Sequence, residues 1–500
     1  MITCEMEATH PTPHPNRPAS ITNQCGSPRW SVGCCEFRGL IPKSTDAAKG
    51  LVILRIGRLQ KERPLPVIQG SRGATVLVGM PGFVVGAQQL VDGELWLFVE
   101  TSTDVMGCSG CGTRAVGHGR YKTLVRDLPI SGRPTVLVWS KRRWRCPEPD
   151  CETKTWSETS AEIAARAVMT ERARRRLADM VNVDGGSIAS AAGFFGVGWH
   201  AGNQAVADHT DPVICDEDRL EGVAAIGVDE KRFLNATKDR RTTFTTQIVD
   251  LDRHQLLDVI PGRSKDVLDT WLEERGEDWC ARIRLATLDP AAGYRRAFED
   301  RLPNVTLVVD HFHAVRLANR AIDDVRRRVQ QDTLGHRGRK GDPLYRIRRV
   351  LLTADERLTE DRFEWMQAML TEGDPHGEVA AAWIAKELLR DVYAARDEAH
   401  ARRIMIGFYT WCADSDVREL RRLASTVSRW SEEIFAYHRT GRASNGRVEN
   451  THMLAEKIRR IGHGFTNHDN YRRRLIGRLG IKWHTQPTAR IRGRQPRFIA

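Results

Sequence analysis

Carboxylates and thiols are the side chains in this sequence whose types and spacing suggest chemistry. Asp229, Asp289 and Glu449 are far apart along the chain, and each falls beside an element where a carboxylate can point into a shared site. Oxygen ligands of this kind hold hard divalent cations, and two such cations about 3.5–4 Å apart support phosphoryl transfer. One lowers the pKa of the attacking water or 3′-hydroxyl, and the other stabilises the leaving oxygen. The expected cofactors are two Mg²⁺, or Mn²⁺, at the acids. Asp310, in VVDHFH, competes with Asp289 for the second position. The neighbouring His311 and His313 are candidates to orient a phosphate. Glu230 points to the opposite face of its strand from Asp229.

Cys108-x2-Cys111 and Cys146-x4-Cys151 form two close pairs separated by 34 residues. Each pair sits on a tight turn, SGCG and CPEPDC, so the four sulfurs can meet one zinc at about 2.3 Å. Nothing nearby supplies an open position and a base, so the expected ion is one structural Zn²⁺. The alternative is four ordinary thiols.

The elements that must position the acids follow from periodicity. AAIGVDEKRF, TFTTQIVDLD and QLLDVIPGRS read as three strands. KDVLDTWLEERG is a helix, IRLATLDP a strand, AGYRRAFEDRL a helix and VTLVVDHFH a strand. The order βββ-α-β-α-β is that of an α/β ribonuclease H-like sheet, in which the first strand lies beside the fourth. That pairing favours Asp289 over Asp310 as the partner of Asp229. Residues 314–440 are helical throughout and read as a large all-α insertion. A helix after TGRASNGRVEN would carry Glu449, capped by Asn445 or Ser444.

The expected organisation is a disordered extension (1–72), a small zinc-binding β domain (73–156) and a helical helix-turn-helix domain (160–215). The first part of the catalytic core (222–313), the insertion (314–440), a basic segment with the Glu449 helix (441–485) and a tail (486–500) follow. Cys4, Cys25, Cys34 and Cys35 of the extension lack metal spacing. In SIASAAGFFGVGWHAGNQAVAD, two helices flank Gly196-Val197-Gly198. The second, from about Trp199 to Asp208, would offer Trp199, His200, Asn203 and Gln204 to base edges. Lys141, Arg142 and Arg143 on an aromatic strand, Arg337, Arg339 and Lys340 in a Gly-rich loop, and Arg459 and Arg460 near the end are candidates for phosphate contact. Arg472, Arg473 and Arg474 extend that last basic segment.

The net charge of +13 suits a polyanion. No run of about 18 apolar residues exists, so no membrane span is expected. The stretch MITCEMEATHPTPHPNRP has no basic start followed by an apolar run, so a secretory signal is not expected there. A cytoplasmic, nucleoid-associated protein is the expectation.

At these residues the chain resembles the ISL-three family of insertion-sequence transposases. The similarity lies in CSGCGTRAVGHGR, LVRDLPISGRP, WSKRRWRCPEPDC, IGVDEKRF, LDPAAGYRRAF, LPNVTLVVDHFHAVRLANRAIDDVRRRVQQDTLGHRGRKGDPLYRIRRVLL, TGRASNGRVEN and GHGFTNHDNYRRRLIGRLG, over roughly residues 75 to 485. The resemblance implies a zinc ribbon, a helix-turn-helix and a DDE domain with a helical insertion. It implies recognition of terminal inverted repeats and cut-and-paste strand transfer, with the acids at Asp229, Asp289 and Glu449. The partner is then double-stranded DNA, at transposon ends and target, and pairing of two ends implies a homodimer or larger. Family members carry small or hydroxyl residues before the Glu and an Asn three positions after it. Here Arg447-Val448 precede Glu449 and His452 follows. That departure motivates a second reading, a DNA-binding relic that does not cut. A third is a structure-selective nuclease on the same fold.

Overall fold

The computed structural model describes residues 78–103 and 105–484, together with 75 and the pair 68–69. The expected extension at 1–72, apart from that pair, and the tail at 486–500 lie outside the described residues, as do Cys4, Cys25, Cys34 and Cys35.

The first sheet contains β1 (Ile68–Gln69), β2 (Phe83–Val91), β3 (Glu94–Thr101), β4 (Val116–Ile130), β5 (Arg133–Arg145) and β6 (Thr155–Ser157). Its order is β1-β2-β3-β5-β4, with β6 paired to β5. Two hairpins set the registers. Asp92-Gly93 (φ 49° and 81°) joins β2 to β3, and Ser131-Gly132 (φ 52° and 73°) joins β4 to β5. Two-residue loops with positive φ at both positions match the twist of the strands they connect. Val85, Leu97, Val99, Val125, Leu137 and Trp139 form the core of this sheet.

Three helices follow: α1 (Glu171–Asn182), α2 (Ile188–Phe194) and α3 (Trp199–Ile214). Thr170 caps α1 by accepting from Ala173 N, and Ser187 caps α2 by accepting from Ser190 N. A Cβ at Gly202 would lie 3.0 Å from Ala192 Cβ, so the small residues here permit close packing of α2 on α3. The third helix runs beyond the expected end at Asp208. Pro212 falls in its last turn, where its missing N–H removes one ladder bond, and the helix stops two residues later.

The second sheet contains β7 (Ala225–Leu234), β8 (Thr243–Asp250), β9 (Gln255–Pro261), β10 (Leu285–Leu288) and β11 (Thr306–Val309), in the order β11-β10-β7-β8-β9. The first and fourth of these, β7 and β10, are parallel neighbours. Helices α4 (Lys265–Arg275) and α5 (Glu277–Arg282) precede β10, and α6 (Ala292–Arg301) precedes β11. Beyond β11 come α7 (His311–Leu334), α8 (Pro343–Arg346), α9 (Glu360–Gly373), α10 (Glu378–Ala394), α11 (Glu398–Asp414), α12 (Arg418–Arg429) and α13 (Ser431–Arg439). Their apolar faces share one core with Ile226, Val228 and Ile248 of the sheet. The chain then returns to the opposite sheet face as α14 (Gly446–Ile461) and α15 (His468–Leu479). There Val448, Ala455, Ile458, Tyr471 and Leu475 pack on Ala225, Val249 and Leu256. VTLVVDHFH does not form one strand. It ends at Val309, because the Asp310 carboxylate accepts from Phe312 N and starts a helix.

Arginines of α15 fasten this layer. Arg472 donates to both oxygens of buried Asp258 (2.6 and 3.2 Å), which also accepts from Trp271 Nε1. Arg473 pairs in the same two-bonded way with Asp211 of α3 (2.6 and 2.8 Å). Arg474 donates to the carbonyls of Val181 and Gly186, both at 2.8 Å. These three side chains, expected to meet phosphate, are consumed by internal partners.

Burial raises the Asp258 carboxyl, but Arg472 and Trp271 outweigh it and hold the group below its ordinary value. Its stabilisation is therefore present above the ordinary Asp value of about 4 and is lost as pH falls through the folded value. Asp258→Ala should cost roughly 2–3 kcal/mol, less than the 3–5 kcal/mol of a fully buried pair, because Arg472 is 34% exposed. Denaturant unfolding at pH 7 and at pH 3 checks both statements. The gap between wild type and variant should shrink at the lower pH.

Candidate active site

Alternation along β7 places Ala225, Gly227 and Asp229 on the face that α14 covers, and Ile226 and Val228 on the other. Thr287 of β10 lies opposite Gly227, and Leu288 opposite Val228. Asp289, the next residue, therefore emerges beside Asp229. Asp310 leaves the adjacent strand at the same level. Glu449 approaches from the first turn of α14.

The side chains meet. Ligand atoms of Asp229, Asp289 and His313 lie within 4.8 Å of one another, and so do those of Asp310, His313 and Glu449. His313 belongs to both groups. Its Nε2 is 2.6 Å from Asp289 Oδ1, while His452 Nδ1 is 3.1 Å from Asp229 Oδ2 and His311 Nδ1 is 3.4 Å from Asp310 Oδ1. Asp229, Asp289 and Asp310 thus each have an imidazole beside them. His452 entered the sequence reading only as a departure from a family pattern. Its position three residues after Glu449, on the same helical face, was the available signal.

Burial opposes ionisation throughout the cluster. It raises Asp229, but the His452 hydrogen bond and charge carry the group below its ordinary value. It raises Asp289, which His313 offsets only in part while the Asp229 charge adds to the rise. Glu449 is raised by burial and then by the Asp310 charge. Glu449 Oε1 is shielded from solvent and accepts no hydrogen bond from the described residues. An orphaned carboxylate oxygen within a group of acids suits a hard divalent cation, which the carboxylates here would hold. Asp310 differs, because both of its oxygens accept backbone N–H groups, from Asn445 at 2.8 Å and Phe312 at 3.1 Å. Asn445 precedes α14 as expected but does not cap it through its side chain. Its Oδ1 accepts instead from the Thr287 hydroxyl.

The four cysteines form a second cluster. Cys108 Sγ lies 3.7 Å from Cys151 Sγ, and Cys111 Sγ lies 3.5 Å from Cys146 Sγ. Tetrahedral zinc with Zn–S near 2.3 Å implies sulfur separations of about 3.8 Å, so the donor set and spacing fit. Gly110 is required here. A Cβ would stand 2.8 Å from Thr153 Oγ1 and 3.3 Å from Cys151 Sγ.

The basic candidates divide. Arg143, Arg337, Arg339, Lys340 and Arg460 are exposed. Lys141 lies over the Trp139 ring, 4.6 Å from its centroid. Arg142 turns inward to the carbonyls of Thr101 and Thr103, and Arg459 to those of Arg232 and Phe233. Trp199 and His200 are exposed at the start of α3, in edge-to-face contact at 5.3 Å. Gln204 is held by Asp208 at 2.7 Å, and Asn203 is half-buried. No helix among the described residues is long and apolar enough to cross a membrane.

The family model of the ISL-three DDE domain, described as "Transposase", matches residues 226–475. A second, described as "zinc-finger of transposase IS204/IS1001/IS1096/IS1165", matches residues 104–151. Among known proteins, the transposase for insertion sequence element IS1001 of Bordetella parapertussis is 23% identical over 385 residues, spanning 75% of this chain and 89% of its own length. The transposase for insertion sequence element IS1557 of Mycobacterium tuberculosis is 26% identical over 268 residues, spanning 50% of this chain and 58% of its own length.

Proposed function

Because the chain belongs to the ISL-three transposase family, we propose that it binds the terminal inverted repeats of an insertion sequence and cleaves and transfers DNA strands at Asp229, Asp289 and Glu449. The observation that carries this reading is a pair of adjoining clusters, Asp229–Asp289–His313 and Asp310–His313–Glu449, which share His313 and so bring acids from β7, the ends of β10 and β11, and α14 to one region. The order β11-β10-β7-β8-β9, with β8 and β9 antiparallel, supports a ribonuclease H-like domain. Residues 314–440 are then a helical insertion before the Glu449 helix, behind a zinc ribbon at 73–156 and a helix-turn-helix at 160–215.

In this scheme Asp229, Asp289 and Glu449 hold two Mg²⁺ or Mn²⁺. Such ions, when bound, activate the attacking oxygen and stabilise the leaving one. His452 orients Asp229, and His313 braces Asp289. The exposed Arg143, Arg337, Arg339, Lys340 and Arg460, together with half-buried Lys141, meet the phosphate backbone, so affinity falls steeply with salt. The sequence departure before Glu449 places no cation among the acids. Arg447 is exposed, and Val448 is fully buried against the sheet.

The test incubates the full chain with duplexes carrying the ends of its element and Mg²⁺. Nicks at the ends and joining to a second duplex are expected. End binding without nicks identifies a relic, and nicking without joining or end preference identifies a nuclease.

Gly227 carries a separate prediction. A Cβ there would lie 2.4 Å from Val448 Cγ2, 2.9 Å from Leu251 Cδ2 and 3.0 Å from Asn445 Oδ1. Gly227→Ala pushes α14 off the sheet, at roughly 1–3 kcal/mol for overpacking. Misplacing Glu449 by about 1 Å should lower cleavage on the order of 10²-fold. Chemical denaturation and a cleavage assay on the same preparation measure the two effects.

A further inference from the structure

Asn445 is fully buried, four residues ahead of Glu449, whose N–H donates to the Asn445 carbonyl at 2.9 Å. Two side chains from different strands grip it. The Thr287 hydroxyl, two residues before Asp289, donates to Asn445 Oδ1, and Asp310 Oδ1 accepts from Asn445 N at 2.8 Å. Thr287 and Asp310 are themselves buried, at 0% and 1% exposure. The start of α14 is therefore tied to the ends of β10 and β11, which also set Asp289 and His313.

We propose that Thr287 and Asp310 are positioning residues that fix Glu449 through Asn445, and that Asp310 is not itself a cation ligand. This rests on the reading of Glu449 as the third acid. Each Asp310 oxygen accepts one backbone N–H, from Asn445 and from Phe312, and so holds the start of α14 and of α7, whereas Glu449 Oε1 accepts none from the described residues. Groups that orient a ligand from behind change metal affinity or activity by about 10- to 100-fold when removed.

The experiment uses the full, zinc-loaded chain and Mn²⁺ as the probe, with bound Mn²⁺ counted by electron spin resonance and cleavage measured in parallel. Thr287→Val should weaken Glu449-dependent Mn²⁺ binding and slow cleavage by about 10- to 100-fold, with a single cooperative unfolding transition retained. Thr287→Ser, which keeps the hydroxyl, should restore both. Asp310→Asn should bind as many Mn²⁺ as wild type. Loss of one Mn²⁺ in Asp310→Asn, matching the loss in Glu449→Gln, makes Asp310 a ligand and overturns the proposal. So does equal behaviour of Thr287→Val and wild type while Glu449→Gln is inactive. Full Mn²⁺ binding and cleavage by Glu449→Gln removes the underlying reading of the site, and the positioning role with it.

Discussion

Asp229→Asn should lower strand cleavage on the order of 10³-fold while leaving binding to transposon ends intact. The substitution preserves shape and removes one negative charge from a site where burial of the group limits what water can replace. Fixed charge aimed at a developing transition state acts most strongly where water is excluded, and removing one such group costs about 10²–10³-fold in well-studied enzymes. Asp229, if it holds a cation as proposed, would lie at the upper end of that range. Single-turnover cleavage of labelled ends gives the rate, and a gel shift on the same protein gives the binding. Cleavage within tenfold of wild type would remove Asp229 from the chemistry.

Loss of the zinc cluster should have the second large effect. The ribbon places three buried cysteines and one exposed cysteine around a small volume, with Trp156 the partly buried hydrophobe packed against them. A cluster of that size cannot support its own fold. Structural zinc contributes about 10–16 kcal/mol of apparent binding energy, most of it folding energy. Cys146→Ser should therefore reduce zinc from near one per chain to near zero, open residues 105–155 to protease, and weaken end binding at least about tenfold. Cys215→Ser, at an exposed cysteine remote from the cluster, serves as the control and should keep its metal. Metal analysis with limited proteolysis decides the matter. A protease-resistant ribbon without zinc contradicts the structural role.

Local patterns carried the zinc cluster and the strand order. Two short cysteine spacings name a tetrahedral site, and period-two alternation followed by helical periodicity names the second sheet. The contrast between Asp289 and Asp310 needed more than pattern. Both end an apolar strand, and they differ in what their oxygens contact: Asp310 accepts backbone N–H groups from residues 2 and 135 positions away. The basic run of α15 read as a phosphate-binding segment because its partners are remote. Asp258, Asp211 and Val181 precede their arginines by 214, 262 and 293 residues. A sequence shows charge at short range, and here the neutralising groups arrive only when the chain folds back. Arg142 misled for the same reason, since its carbonyl partners lie about forty residues upstream, at Thr101 and Thr103. Asn445 was legible as a residue that precedes a helix, but not as a latch, because Thr287 lies 158 residues away.

The arginine series on α15 joins α1 and α3 to β9 through consecutive residues, with Arg478 adding the carbonyls of Asn182 and Val183. Such a fastening ties the helical trio to the sheet that carries the acids. If Trp199 meets base edges and the acids cut as proposed, the span between the two on a straight duplex is set by this joint, measured out as by a gauge block. Flexible tethers let a nuclease search along its substrate; this joint fixes the offset in advance.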